Sequence, residues 1–278
     1  MAQLPLIACT THSFGIVPLG AAFRIIKALE FDYVDLIAAT YPQQLDPSVL
    51  AAHPEREAER IGDLAAQAGV RLSGCFVGFR ERLTTADPER RRRLLELYGA
   101  AGRLAHRLGI AHVQTGFGRS DPVLPADEQF AVIVENVGAE FLVEAQRGAA
   151  ISSPDALERL LRAVPGLRIN HDPGQFACQG FEQESYEPLY AATAHIHMRQ
   201  ARPGALQEKL EQGTVDFRRV VRQLHAAGFD GVYATEYVHF AGSVDCANVD
   251  VVTETVKMRD LIREELAALS REAPVHAL

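Results

Sequence analysis

A closed (β/α)8 barrel, a single α/β domain over residues 1–278, is the fold this sequence predicts. Short apolar runs alternate with amphipathic segments from end to end, the pattern of a parallel sheet wrapped by helices. Eight such units follow one another with no Gly/Ser-rich linker between them, which favours closure over an open doubly wound sheet. The chain is 278 residues long, close to the roughly 250 that such a barrel takes as one domain.

The elements follow in order. LIAC (6–9) reads as the first strand, with a helix near 18–30. YVDLIA (33–38) is the second, with a helix near 54–68. VRLSGCFV (70–77) is the third, and 87–108 its helix. IAHVQT (110–115) is the fourth strand. EFLVE (140–144), LRIN (167–170), HIHM (195–198) and VYATE (232–236) complete the eight, with helices near 154–163, 216–227 and 250–270. Ser152-Ser153-Pro154-Asp155 offers a hydroxyl cap followed by proline in the first turn. Gly109 and Gly228 stand where helices stop and strands begin. The stretch 117–139 is the least regular. DEQFAVIVENVG supplies a short helix with Phe130, Ile133, Val134 and Val137 on one stripe, the alternative being an extra strand at 131–134.

Composition narrows the function. An apolar fraction of 47% is ample for a large core, and a charged fraction of 23% is ordinary for a globular protein. The net charge of −8 argues against a nucleic-acid partner. Glu89 through Arg93 is one local basic run and reads as the solvated face of a helix. Cys9, Cys75, Cys178 and Cys246 are scattered with no CxxC pair, as in reduced thiols of a cytoplasmic protein. The start MAQLPLIAC does not read as a signal peptide, and no stretch reaches the roughly 18 apolar residues of a membrane span. Gly116-Phe117-Gly118 begins like a dinucleotide loop, but Asp121 stands at the third glycine position, so no nucleotide cofactor is expected.

Four side chains stand at the ends of four successive apolar runs: Glu144, Asp172, His197 and Glu236. Active sites of α/β barrels lie at the C-terminal ends of the strands. Three carboxylates and one imidazole suit a hard divalent cation, Mn²⁺ first and Mg²⁺ or Co²⁺ after it, more than a structural zinc. Such an ion takes two oxygens of a polyol, polarises a carbonyl and stabilises an enediolate. Glu144 and Glu236 then double as the acid/base pair that removes and returns the α proton. His12 points to the same mouth, and His239 and Asp245 lie on the last long loop. Arg199 and Arg202 flank the exit of the seventh strand, where a guanidinium suits a carboxylate, phosphate or enolate oxygen. Gln207 is either a substrate contact or a loop-structuring residue. His171 should point away from the site if the strand pleat continues.

In LVEAQRG (142–148), INHDPGQF (169–176), HIHMRQARPGALQ (195–207), GTVDFRRVVRQLHAAGFDG (213–231), TEYVHF (235–240) and TETVKMRDLI (253–262), the sequence resembles the xylose isomerase-like TIM barrels, a family of sugar phosphate isomerases and epimerases. The resemblance implies that Glu144, Asp172, His197 and Glu236 bind the cation. It also exposes two departures. Gln146 and Gln175 stand where the family commonly has histidines that touch substrate or relay protons; glutamine hydrogen-bonds a hydroxyl but does not titrate near neutrality.

Three functions are therefore expected, in order. The first is a divalent-metal-dependent sugar isomerase or epimerase of carbohydrate metabolism, acting on a keto sugar or related polyol. The second is a metal-dependent lyase of the same fold, either inosose dehydratase-like or the large subunit of a C-glycoside deglycosidase acting on 3-keto glycosides with a small β-rich partner subunit. The third is a barrel that binds a polyol without turnover. Barrels of this kind often pair, so a homo-oligomer is left open.

Overall fold

Eight parallel strands close in sequence order, the first pairing with the eighth. They are β1 (Leu6–Thr10), β2 (Tyr33–Ala38), β3 (Arg71–Val77), β4 (Val113–Gly116), β5 (Phe141–Glu144), β6 (Ile169–His171), β7 (Thr193–Met198) and β8 (Val232–Thr235). The structure, a computed structural model, describes residues 5–39, 44–79, 82–119, 124–137, 141–239 and 246–272. Asp121 and Asp245 lie outside the described residues.

The outer layer is α1 (Leu19–Ala28), α2 (Pro47–Ala52), α3 (Pro54–Ala68), α4 (Pro88–Arg107), α5 (Ala126–Asn136), α6 (Pro154–Ala163), α7 (Pro173–Ala177), α8 (Phe217–Ala226) and α9 (Val251–Glu272). Their starts follow from local chemistry. The Asp87 carboxylate accepts the Arg90 amide at 2.8 Å ahead of Pro88, and Ser153 Oγ accepts the Ala156 amide at 3.2 Å ahead of Pro154. Asp216 caps α8 through the Arg219 amide at 3.0 Å. In α8 the buried residues Phe217, Val220, Val221 and Leu224 repeat at i, i+3, i+4 and i+7. They share a cluster with Ile196 and Met198 of β7 and with Met258 and Ile262 of α9. Full burial of each such side chain contributes roughly 1.5–3 kcal/mol. A larger cluster joins Val34 and Leu36 of β2 to Phe23 and Ile26 of α1, Ile61 of α3 and Leu104 of α4.

The irregular stretch resolves as a helix: α5 buries Ile133, and Phe130, Val134 and Val137 pack partly buried against the core, with no extra strand among the described residues. Two short helices go beyond the sequence reading. α2 ends at Ala52, and His53 alone separates it from Pro54, which begins α3. Between β6 and β7 the outer layer is built only of α7 and the short 3-10 turns Gln183–Ser185 and Glu187–Ala192. The basic run of α4 is largely exposed, with Arg91 paired to Glu135 at 3.1 Å. No disulfide joins the four cysteines. No helix of the described residues is long and apolar enough to cross a membrane.

Candidate active site

Toward their C-terminal ends the barrel strands turn polar groups inward. Glu144 is the last residue of β5, Asp172 follows β6, His197 is the penultimate residue of β7, and Glu236 follows β8. All four are buried. Parallel closure brings them together: His197 Nδ1 lies 3.3 Å from Glu144 Oε2 and 3.5 Å from Glu236 Oε2. Arg199 Nη2 bridges Asp172 Oδ2 at 2.7 Å and Glu236 Oε2 at 3.4 Å. Asp172 is held by its own turn, its Oδ1 accepting the Gly174 amide at 2.8 Å as the N-cap of α7.

The charges here depend on one another. Burial opposes ionisation of Glu236, but His197 and Arg199 outweigh it and hold the carboxyl well below its usual range. Burial pushes Asp172 up, with Glu144 and Glu236 adding to it against the pull of Arg199. Burial disfavours the imidazolium of His197, yet Glu236, Asp35 and Glu144 raise it well above the ordinary histidine range. Three carboxylates against one guanidinium leave two negative charges, which a divalent cation would balance with His197 neutral. The donor set, carboxylate oxygens and one imidazole nitrogen, has the hardness such an ion takes. The residues present therefore fit a divalent cation.

A cavity of about 290 Å³ opens over this cluster. Its lining joins Glu144, Glu236, His12 and Gln146 with the aromatic rings of Phe76, Phe79 and Tyr98 and the side chain of Arg82. His12 Nδ1 stands 3.5 Å from Glu236 Oε1, and Gln146 Nε2 donates to Glu144 Oε1 at 3.3 Å. Tyr98 OH is tied to Thr115 Oγ1 at 2.7 Å, which leaves its ring as the surface it shows.

Other expected contacts fall elsewhere. Gln175 is buried and accepts the Arg147 amide at 3.0 Å, bracing the turn after β5 rather than lining the cavity. Arg202 is half-exposed and paired with Glu208 at 2.9 Å, and His239 is exposed; neither lines the cavity. The Gln207 amide both donates to and accepts from the Val238 backbone, at 3.0 and 2.7 Å, so it structures its loop. Arg199 reaches the carboxylates of the cluster itself. His171 points away, into the rings of Phe176, Tyr186 and Tyr190, and burial pushes its pKa down to about 3.

Sequence reading missed the layer beneath. Asp35 of β2 is fully buried, and its Oδ2 lies 3.1 Å from Nε2 of both His195 and His197. Burial opposes its ionisation, but the two imidazoles hold its pKa at about 2. Gln114 of β4 and Asn170 of β6 complete the layer. Asp35 inside the apolar run YVDLIA was the available signal: a carboxylate in a buried strand needs a partner.

An eight-stranded barrel with an acid–imidazole cluster at its C-terminal mouth is an enzyme-like architecture. The chain belongs to the xylose isomerase-like TIM barrel family, whose profile matches residues 23–270. It is similar to a xylose isomerase-like TIM barrel protein from Mycobacterium smegmatis solved in complex with magnesium, at 19% identity and TM-score 0.71, over 95% of this chain and 97% of that one. It is also similar to a D-tagatose 3-epimerase-like protein, at 16% identity and TM-score 0.70, over 97% and 100% of the two chains. A third similar structure is the 3-keto-D-glucoside 4-epimerase YcjR from E. coli, at 14% identity and TM-score 0.63, over 95% and 99%. At these identities the likeness establishes the fold. Among curated proteins, no sequence matches the chain.

Proposed function

We propose that the protein is a divalent-metal-dependent sugar isomerase or epimerase acting on a keto sugar or related polyol. One observation carries the reading. Three buried carboxylates and an imidazole from four successive strands converge, with Nδ1 of His197 within 3.5 Å of Glu144 and Glu236, and these two carboxylates line a cavity of about 290 Å³. The similar structures named as sugar epimerases support it.

Glu144, Asp172, His197 and Glu236 are the residues that would hold the cation, Mn²⁺ being our choice. When bound, it supplies Lewis-acid polarisation of a substrate carbonyl and stabilises the enediolate charge, worth several kcal/mol. The chain's own residues do the rest. Glu144 and Glu236 both face the cavity, so one takes the proton from the carbon next to the carbonyl and the other returns it. His12 restrains Glu236 Oε1, and Gln146 offers an amide to a substrate hydroxyl without titrating. The aromatic rings of Phe76, Phe79 and Tyr98 keep water from part of the cavity wall.

Elimination is the second reading, and Gln146 favours it: with no imidazole at that point of the lining, the enolate can expel a substituent instead of being reprotonated. It carries the expectation of a β-rich partner subunit. Incubation of the Mn²⁺-loaded protein with a panel of ketoses and 3-keto glycosides in heavy water tests both. Deuterium at the carbon beside the carbonyl supports isomerase or epimerase chemistry, and release of an aglycone supports the lyase. Neither signal, with the ion bound, refutes both.

A further inference from the structure

We infer that Asp35 is a positioning residue that fixes the tautomer of His197 and, through Gln114 and Asn170, the orientation of Glu144. The inference rests on the cation site proposed above. Asp35 touches neither the cavity nor any of the other three proposed cation-binding side chains directly. It acts through hydrogen bonds alone.

An ionised carboxylate only accepts hydrogen bonds. With Oδ2 of Asp35 3.1 Å from Nε2 of His195 and of His197, both rings must present N–H from Nε2. For His197 the consequence is specific. Once the ring is neutral, as a cation requires, Nδ1 keeps the lone pair, and that is the nitrogen facing Glu144 and Glu236 at 3.3 and 3.5 Å. A carboxylate behind a histidine in this way fixes the ring and raises its basicity as a ligand.

The other oxygen of Asp35 starts a relay. Oδ1 accepts from Gln114 Nε2 at 3.2 Å, which turns Gln114 Oε1 toward Asn170 Nδ2 at 2.8 Å. Asn170 Nδ2 then donates to Glu144 Oε2 at 2.9 Å. Two of the four proposed ligands are thereby anchored to one carboxylate on the far side of the barrel.

The backbone is adapted to this layer. Register shifts interrupt both ladders at this layer: Ser73 of β3 is the extra residue between the Val34 and Asp35 pairs, and Ala194 of β7 the extra one between the Ile169 and Asn170 pairs. Gly74 faces the same spot; a Cβ there would overlap Asp35 Oδ1 and Gln114 Nε2. Asp35, His195 and His197 also offer donor atoms within 4.8 Å of one another, as a metal site would. None of the three lines the cavity, and an ion would need a path of entry. Hydrogen bonding accounts for their distances without one.

The test uses the full chain stripped with EDTA and titrated with MnCl₂ by calorimetry. Wild type should take up one ion. Asp35→Leu should bind it roughly 10- to 100-fold more weakly, the range for loss of a ligand's supporting partner. Asp35→Asn keeps an acceptor for the imidazoles but inverts the relay, so its affinity should fall between the two. A readout needing no variant is the ¹⁵N spectrum of histidine-labelled wild type saturated with Mg²⁺, in which His197 should carry its proton on Nε2. No uptake of either ion by wild type overturns the cation site itself. Uptake with undiminished affinity in Asp35→Leu, or a proton on Nδ1 of His197, leaves the site standing and overturns the role of Asp35. Two ions per chain, one of them retained in Glu144→Gln, would also overturn it.

Discussion

Arg199 is the cationic side chain that bridges two carboxylates of the cluster, and replacing it with methionine isolates what that charge does. The residue is only 3% exposed, and its guanidinium sits 2.7 Å from Asp172 and 3.4 Å from Glu236. Methionine keeps much of the stem and removes the charge. Two buried carboxylates then lose their shared partner. Breaking a buried pair from one side costs about 3–5 kcal/mol, because a charge is left uncompensated. For a chain of this size each kcal/mol moves Tm by about 2–4 °C, so Arg199→Met should melt roughly 6–20 °C below wild type in EDTA. Saturating Mn²⁺ changes the comparison. An ion gripped by the same carboxylates supplies the missing positive charge, and without the guanidinium's repulsion it binds the variant more tightly. Each hundredfold excess over Kd adds about 2.7 kcal/mol to the folded state. The gap should therefore narrow sharply when calorimetric scans are repeated with MnCl₂. A gap of equal size in both buffers would refute the reasoning, as would the absence of any gap in EDTA.

Two further outcomes depend on pH. Without the ion, the carboxyl of Asp172 and the imidazole of His197 are both shifted toward their protonated forms, and the ion needs them deprotonated. Mn²⁺ affinity should therefore rise with pH, roughly tenfold per unit for each proton released, and flatten once His197 is neutral; affinity independent of pH between 5 and 8 contradicts the ligand set. His171 has neither ring nitrogen hydrogen-bonded among the described residues, and burial lowers its pKa from 6.5 to about 3. The folded state then binds fewer protons than the unfolded one between those values, so stability is lost as pH falls below about 6.5, at roughly 1.4 kcal/mol per unit. His171→Phe should lack that component; urea titrations at pH 7 and 5 should show wild type losing about 2 kcal/mol more than the variant.

The fold and the cluster were legible in the sequence for one geometrical reason. In a closed parallel barrel every strand ends at the same rim, so residues that close four successive apolar runs must meet. Glu144, Asp172, His197 and Glu236 needed no knowledge of side-chain direction. Asp35 did. It lies on β2, 160 residues before His195, and only closure of the barrel brings the two together. Arg202 and His239 were placed by their nearness in the chain to strand exits; Glu208, six residues on, takes Arg202 instead. The helices Pro47–Ala52 and Pro173–Ala177 are too short for a 3.6-residue period to show.

The most direct measurement is an anomalous-difference map from crystals of the protein grown with MnCl₂. The expected result is a single peak in each chain, in contact with Glu144, Asp172, Glu236 and Nδ1 of His197. A peak among Asp35, His195 and Nε2 of His197, or no peak at the barrel mouth at saturating ion, would contradict the cation site on which the proposed chemistry rests.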